Sequence, residues 1–118
     1  MNDVDLYRLE FFVSQRGESF VDELLDEIPE KHRGKILQWM RQLEIHGPDL
    51  PRPYADVLDG PIRELRIQFG NYKYRFLYFI HQKTIVLTHG FLKKTGPVPT
   101  REIERAKKLR VDWIGRKN

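Results

Sequence analysis

The spacing of apolar residues changes period several times along the chain, and each change marks an element. Residues 4–13, VDLYRLEFFV, alternate and are rich in aromatics, which predicts a strand. After a turn at SQRGES, Ser19 stands as a helix N-cap with Asp22 at capping-box spacing. Phe20, Val21, Leu24, Leu25 and Ile28 then share one helical face. Pro29 breaks or restarts that helix. A second helix is predicted over 30–46, with Ile36, Leu37, Met40 and Leu43 inward and Gly47 and Pro48 ending it. Residues 49–60, DLPRPYADVLDG, carry breakers and little periodicity, so they read as a loop.

Three strands follow in quick succession. IRELRIQF (62–69) sets Leu65, Ile67 and Phe69 against Glu64, Arg66 and Gln68 on the other face. GN turns the chain into YKYRFLYFI (72–80), and HQK turns it again into TIVLTHGFLK (84–93). Such short connections predict an antiparallel meander. The middle strand is apolar on both faces near its end, which predicts a central position covered on both sides. A last helix begins near Thr100 with Ile103, Ala106, Leu109 and Trp113 inward. The expected fold is α+β, a small antiparallel sheet in β-α-α-β-β-β-α order, forming a single domain over 1–118.

Charge sharpens this outline. The net charge is +4, but residues 61–118 hold 14 of the 21 lysines and arginines and only 4 of the 17 acids. That segregation suits a polyanion on one face; the plainer alternative is a basic C-terminal helix solvated on its outside. With no cysteine, disulfides and thiolate metal sites are excluded. No apolar run approaches the roughly 18 residues of a membrane span. The first residues, MNDVDLYR, have no apolar signal region, so a cytoplasmic location is expected.

The meander brings particular cations together. The end of one antiparallel strand lies near the start of the one before it, so Arg75 and the pair Lys93 and Lys94 fall at the same end of the sheet, with Arg66 in reach. His89 precedes Lys93 by four residues and shares its face in an unbroken strand. Arginine forks and lysine point charges on a rigid platform suit a phosphate that gains charge in a transition state. Tyr72, Tyr74 and Phe91 are candidates for stacking on bases, and Lys73 for binding the same substrate. Each has a plainer role: Arg75 and Glu64 as a cross-strand salt bridge, the strand aromatics as core, His89 as a hydrogen-bonded structural residue, Trp39 and Trp113 as packing. The acids of the basic half are scattered, the four histidines lack zinc spacing, and no phosphate-loop or GxSxG motif occurs. No metal site and no cofactor is expected.

ELRIQFGNYKYRFLYFI followed by IVLTHGFLKKTGPVPTREIERAKK resembles the RelE/ParE toxin superfamily, and most closely its HigB-like, phage-derived branch. Glu64–Leu65–Arg66, Tyr74–Arg75, His89, Phe91, Lys93, Lys94, Thr95, Pro99 and Ala106 fit that branch in order, and the likeness extends over about residues 7–114. The resemblance implies the toxin of a type II toxin–antitoxin pair. Such a toxin is a metal-independent endoribonuclease that cleaves mRNA on the ribosome and so inhibits translation. It implies Arg66 and Arg75 as phosphate binders, with Lys93 and Lys94 as phosphate stabilisers or acid. The implied partners are a cognate helix-turn-helix antitoxin of the HigA-like kind, the ribosome and its mRNA, and no membrane. The stretch TGPVPT lacks the tyrosine base of some relatives, leaving His89, a lysine or Tyr72 for that role. Other relatives bind DNA gyrase without cutting RNA, and a non-toxic nucleic-acid-binding module is a further alternative.

Overall fold

A computed structural model describes residues 7–93 and 96–117. Its strands are β1 (Arg8–Phe11), β2 (Ala55–Asp59), β3 (Ile62–Phe69), β4 (Tyr72–His81) and β5 (Thr84–Leu92); its helices are α1 (Phe20–Glu27), α2 (Glu30–His46) and α3 (Thr100–Lys117). The strands form one sheet in the order β1-β5-β4-β3-β2, so β4 is central as its two apolar faces predict.

The α+β class holds, and two details differ. The segment read as a loop contains β2, which pairs antiparallel with β3 from Ala55↔Leu65 to Asp59↔Ile62. Gly60 and Pro61 make the tight turn between them, and Gly60 takes φ +56°, which its missing Cβ permits. The sheet is mixed rather than antiparallel, because β1 lies parallel to β5, from Arg8↔Thr84 to Phe11↔Leu87. Residues 4–6 of the first predicted strand lie outside the described residues.

The helices form where capping and periodicity direct them. Ser19 accepts a hydrogen bond from the Asp22 backbone N–H at 3.3 Å and starts α1. Pro29 separates α1 from α2, and Gly47 ends α2. Val21, Leu25, Ile36, Met40 and Leu43 pack these helices onto Leu65, Ile67, Tyr74, Phe76 and Tyr78 of one sheet face. Leu37, expected inward, is 45% exposed, and His32 is buried instead, with its Nδ1 2.6 Å from the Tyr74 hydroxyl. On the opposite face Ala106 and Trp113 of α3 join Ile62, Leu77, Phe79 and Val86.

A bulge between Leu77 and Tyr78 decides what β5 shows to each face. Tyr78 pairs with Leu87 and Leu77 pairs with His89, so Thr88 is the extra residue. Ile85 and Leu87 face α1 and α2, and simple alternation would send residue 89 the same way. The inserted residue inverts the alternation, so His89, Phe91 and Lys93 lie on the α3 face and Gly90 turns to Phe76.

Candidate active site

The β3–β4 register sets Arg66 directly opposite Arg75. Like charges across a strand pair repel, and this arrangement needs an anion. Glu64, two residues before Arg66 and on the same face, supplies it. Its Oε2 accepts from Arg66 Nε at 2.9 Å, and its Oε1 lies 3.1 Å from Arg75 Nε. The second contact is a charge pair rather than an aligned hydrogen bond, because neither atom completes one. Asp56 on β2 adds a second carboxylate, 3.3 Å from Arg66 and 3.1 Å from Arg52. The Val57 backbone N–H, with Arg52 and Arg66, holds the Asp56 carboxyl below the usual carboxylate range.

Glu64 is 2% exposed, so the ion cluster is rooted in the sheet while its arginines reach outward. Burial pulls Arg75 down from its ordinary value and the Glu64 charge opposes that pull. It stays a cation, as guanidinium does in proteins. Arg75 also donates from Nη1 to the Tyr74 carbonyl at 3.3 Å.

The row Arg66–Arg75–Phe91 crosses three strands on the face that carries α3, and Gln68–Lys73 forms the next row outward. Lys93 completes that outer row, its backbone N–H donating to the Lys73 carbonyl at 2.7 Å. The Lys93 amine is held below the usual lysine value by partial burial, with Arg75, Lys73 and Arg66 adding repulsion and Glu64 opposing it. Its Nζ donates to the Gly96 carbonyl. Arg66, Lys73, Arg75 and Lys93 therefore share one end of one face and feel one another's charge. Lys94 lies outside the described residues.

The other predicted site residues have different settings. His89 is 1% exposed, and both ring nitrogens are engaged inside the protein. Nε2 is 2.9 Å from Glu102 Oε1 at the start of α3, and Nδ1 is 3.1 Å from Thr88 Oγ1. Burial lowers its pKa and the Glu102 hydrogen bond opposes that shift. It ties α3 to β5 instead of facing solvent. Phe91 is half-buried opposite Arg75. Tyr72 is on the other face, where its ring stands 4.7 Å from His32 and is stacked 6.4 Å from Tyr74.

Two features escaped the sequence. The Arg75–Glu64 salt bridge is as the sequence offered it, but Glu64 also holds Arg66 and so is the hub of both cations, a role signalled only by its i, i+2 relation to Arg66. Trp39 and Tyr54 stack at 4.3 Å with an interplanar angle of 22° and form a wall of a cleft of about 530 Å³ that Arg66 and Arg75 also line. Among the described residues no three His, Asp or Glu side chains converge to hold a metal, and no helix is long and apolar enough to cross a membrane.

Known proteins supply a context for this geometry. The chain is similar to a solved archaeal RelE–RelB complex from Pyrococcus horikoshii, at 21% identity and a TM-score of 0.47, over 79% of this chain and 99% of that one. No curated protein matches it in sequence. The family model described as "Phage derived protein Gp49-like" matches residues 23–111. That span contains the cation row, its Glu64 hub and the first part of α3, and the chain belongs to this phage-derived, RelE/toxin-like family.

Proposed function

We propose that this protein is the toxin of a type II toxin–antitoxin pair and that it cuts mRNA on the ribosome without a metal. The observation that carries the reading is the pairing of Arg66 with Arg75 at the end of the sheet that also holds Lys73 and Lys93. Four cations on a rigid strand platform suit a phosphodiester whose oxygens gain charge as it reacts. In the reaction the ribose 2′-hydroxyl gives up its proton to solvent water as its oxygen attacks the adjacent phosphorus, the bond from phosphorus to the 5′-oxygen breaks, and a 2′,3′-cyclic phosphate forms. Arg66 and Arg75 hold the phosphate oxygens through forked donors. Lys93, with a lowered pKa, gives its proton to the departing 5′-oxygen, as a matched general acid does. The sequence resemblance supports Lys94 as a further phosphate stabiliser, and Lys73 and Phe91 contact the strand being cut.

His89 acts in this reading through position, because its nitrogens are committed to Thr88 and Glu102. Tyr72 faces away from Arg75 and contacts RNA outside the reacting phosphate. The sequence resemblance supports a cognate helix-turn-helix antitoxin of the HigA-like kind as partner. The test is translation in vitro with purified protein, followed by primer extension on the mRNA. Discrete cleavage inside the reading frame, dependent on ribosomes and retained when transition metals are chelated at fixed magnesium, is expected. Intact mRNA would overturn the nuclease, and inhibition of gyrase supercoiling by the same preparation would assign the other target.

A further inference from the structure

We infer that the cleft between α2 and the β2–β3 edge stacks an unpaired base of a single-stranded RNA whose backbone lies along Arg66 and Arg75. The inference rests on the nuclease reading and names a subsite that this reading does not contain. The cleft opens where the pairing of β2 with β3 runs out: the last backbone bond between them is from Arg66 N–H to the Tyr54 carbonyl, at 2.7 Å. One wall is the Trp39–Tyr54 pair, already stacked, with Tyr54 39% exposed. Lys35, Arg66 and Arg75 supply charge, and among the described residues no acidic one lines the space. Lys35 is fixed there by donating to the Gln68 carbonyl at 2.5 Å.

A flat aromatic wall beside cations is what a nucleic-acid single strand uses, because every base has a π-face and every linkage a charge. An acidic peptide would answer the cations but would gain little from a flat ring pair. The volume of about 530 Å³ lies within the range of small-molecule sites. Arg66 and Arg75 belong both to the cleft and to the cation row, so a phosphate they hold brings a neighbouring base to Tyr54. The base in the cleft is then a determinant of where the strand is cut.

The probe is a short single-stranded oligoribonucleotide, methylated at every 2′-oxygen so that it cannot be cleaved, alongside an abasic oligomer of equal length. Wild-type protein is expected to bind the first more tightly than the second and to lose Trp39 fluorescence on binding, read in a Trp113→Phe background. Tyr54→Ala is expected to weaken binding of the base-bearing probe about 10-fold, the effect of losing one base–aromatic stack, and to leave the abasic probe unchanged. Tyr54→Phe keeps the ring and is expected to bind as wild type, with melting curves verifying that both variants fold. Equal binding of the two probes, or wild-type affinity in Tyr54→Ala, would overturn the inference; an affinity loss confined to a partner protein would assign the cleft to that protein. Cleavage is scored separately on translating ribosomes. Tyr54-dependent binding without cleavage removes the nuclease reading alone, whereas cleavage with Tyr54-independent binding removes the subsite alone.

Discussion

Glu64 Oε1 lies 3.1 Å from Arg75 Nε, and the other oxygen of the same carboxylate lies 2.8 Å from an Arg66 guanidinium nitrogen. One buried anion therefore organises the two arginines that the proposed chemistry needs. Removing one partner of a buried ion pair leaves the other uncompensated. Glu64→Ala and Arg75→Ala should each cost about 3 kcal/mol in urea unfolding, with the double variant well short of the sum.

Arg75→Lys separates structure from chemistry. An ammonium can still face Glu64 but lacks the planar fork that grips a phosphate. Stability should fall less than in Arg75→Ala, while single-turnover cleavage falls about 100-fold, as when one preorganised donor is lost. Near-wild-type cleavage would move the reacting phosphate toward Arg66 and the lysines.

Lys93 should matter to rate and little to folding. Lys93→Ala is expected to lower cleavage about 100-fold and to change stability by no more than about 0.5 kcal/mol. An acid must be protonated to act, so cleavage should fail on the alkaline side as pH rises through a value below the ordinary 10.5 of lysine. Lys93→Arg keeps the charge and should lose that alkaline limb. An unchanged pH profile in Lys93→Arg would take the proton away from Lys93.

His89 predicts a pH dependence of stability. Its folded pKa is lowered from the ordinary 6.5, chiefly by burial. Below that value the unfolded chain binds a proton that the folded chain does not, so stability is full above it and falls as pH drops through the window beneath it. Melting temperatures of wild type and His89→Gln, compared between neutral and mildly acidic pH, should show the steeper acid loss in wild type. Parallel curves would contradict the buried neutral imidazole.

Gly90 tests the bulged register. A Cβ there would meet Phe76 ring carbons at 2.5 Å and Leu24 Cδ2 at 3.0 Å. Gly90→Ala should destabilise by about 1–3 kcal/mol through overpacking, seen as a lower urea midpoint with an unchanged slope. A neutral result would mean that residue 90 does not face Phe76.

Local signals made much of this fold readable. Ser19 acts through its own side chain and Pro29 and Gly47 through their own backbones, so α1 and α2 begin and end where the sequence indicates, and the turns at Gly70 and Gln82 fix β3, β4 and β5. Non-local pairing was hidden. Nothing near Arg8 signals that β1 will run parallel to β5, and the short β2 was masked by Pro51 and Pro53, although Asp59–Gly60 carried a hairpin signal. The cations could be gathered to one end of the sheet because strand order alone does that. That Glu64 would lie between two arginines needed the register, and that His89 would be sealed by Thr88 and Glu102 needed the bulge and the seat of α3.

The central claim is that the cation row at the end of the sheet cuts RNA. Primer extension on an mRNA translated in vitro, with wild-type protein and with Arg75→Lys side by side, tests it most directly. Ribosome-dependent stops within the reading frame for wild type, reduced about 100-fold for Arg75→Lys, are the predicted result. Full-length mRNA in both lanes, with translation still arrested or gyrase supercoiling lost, would contradict it.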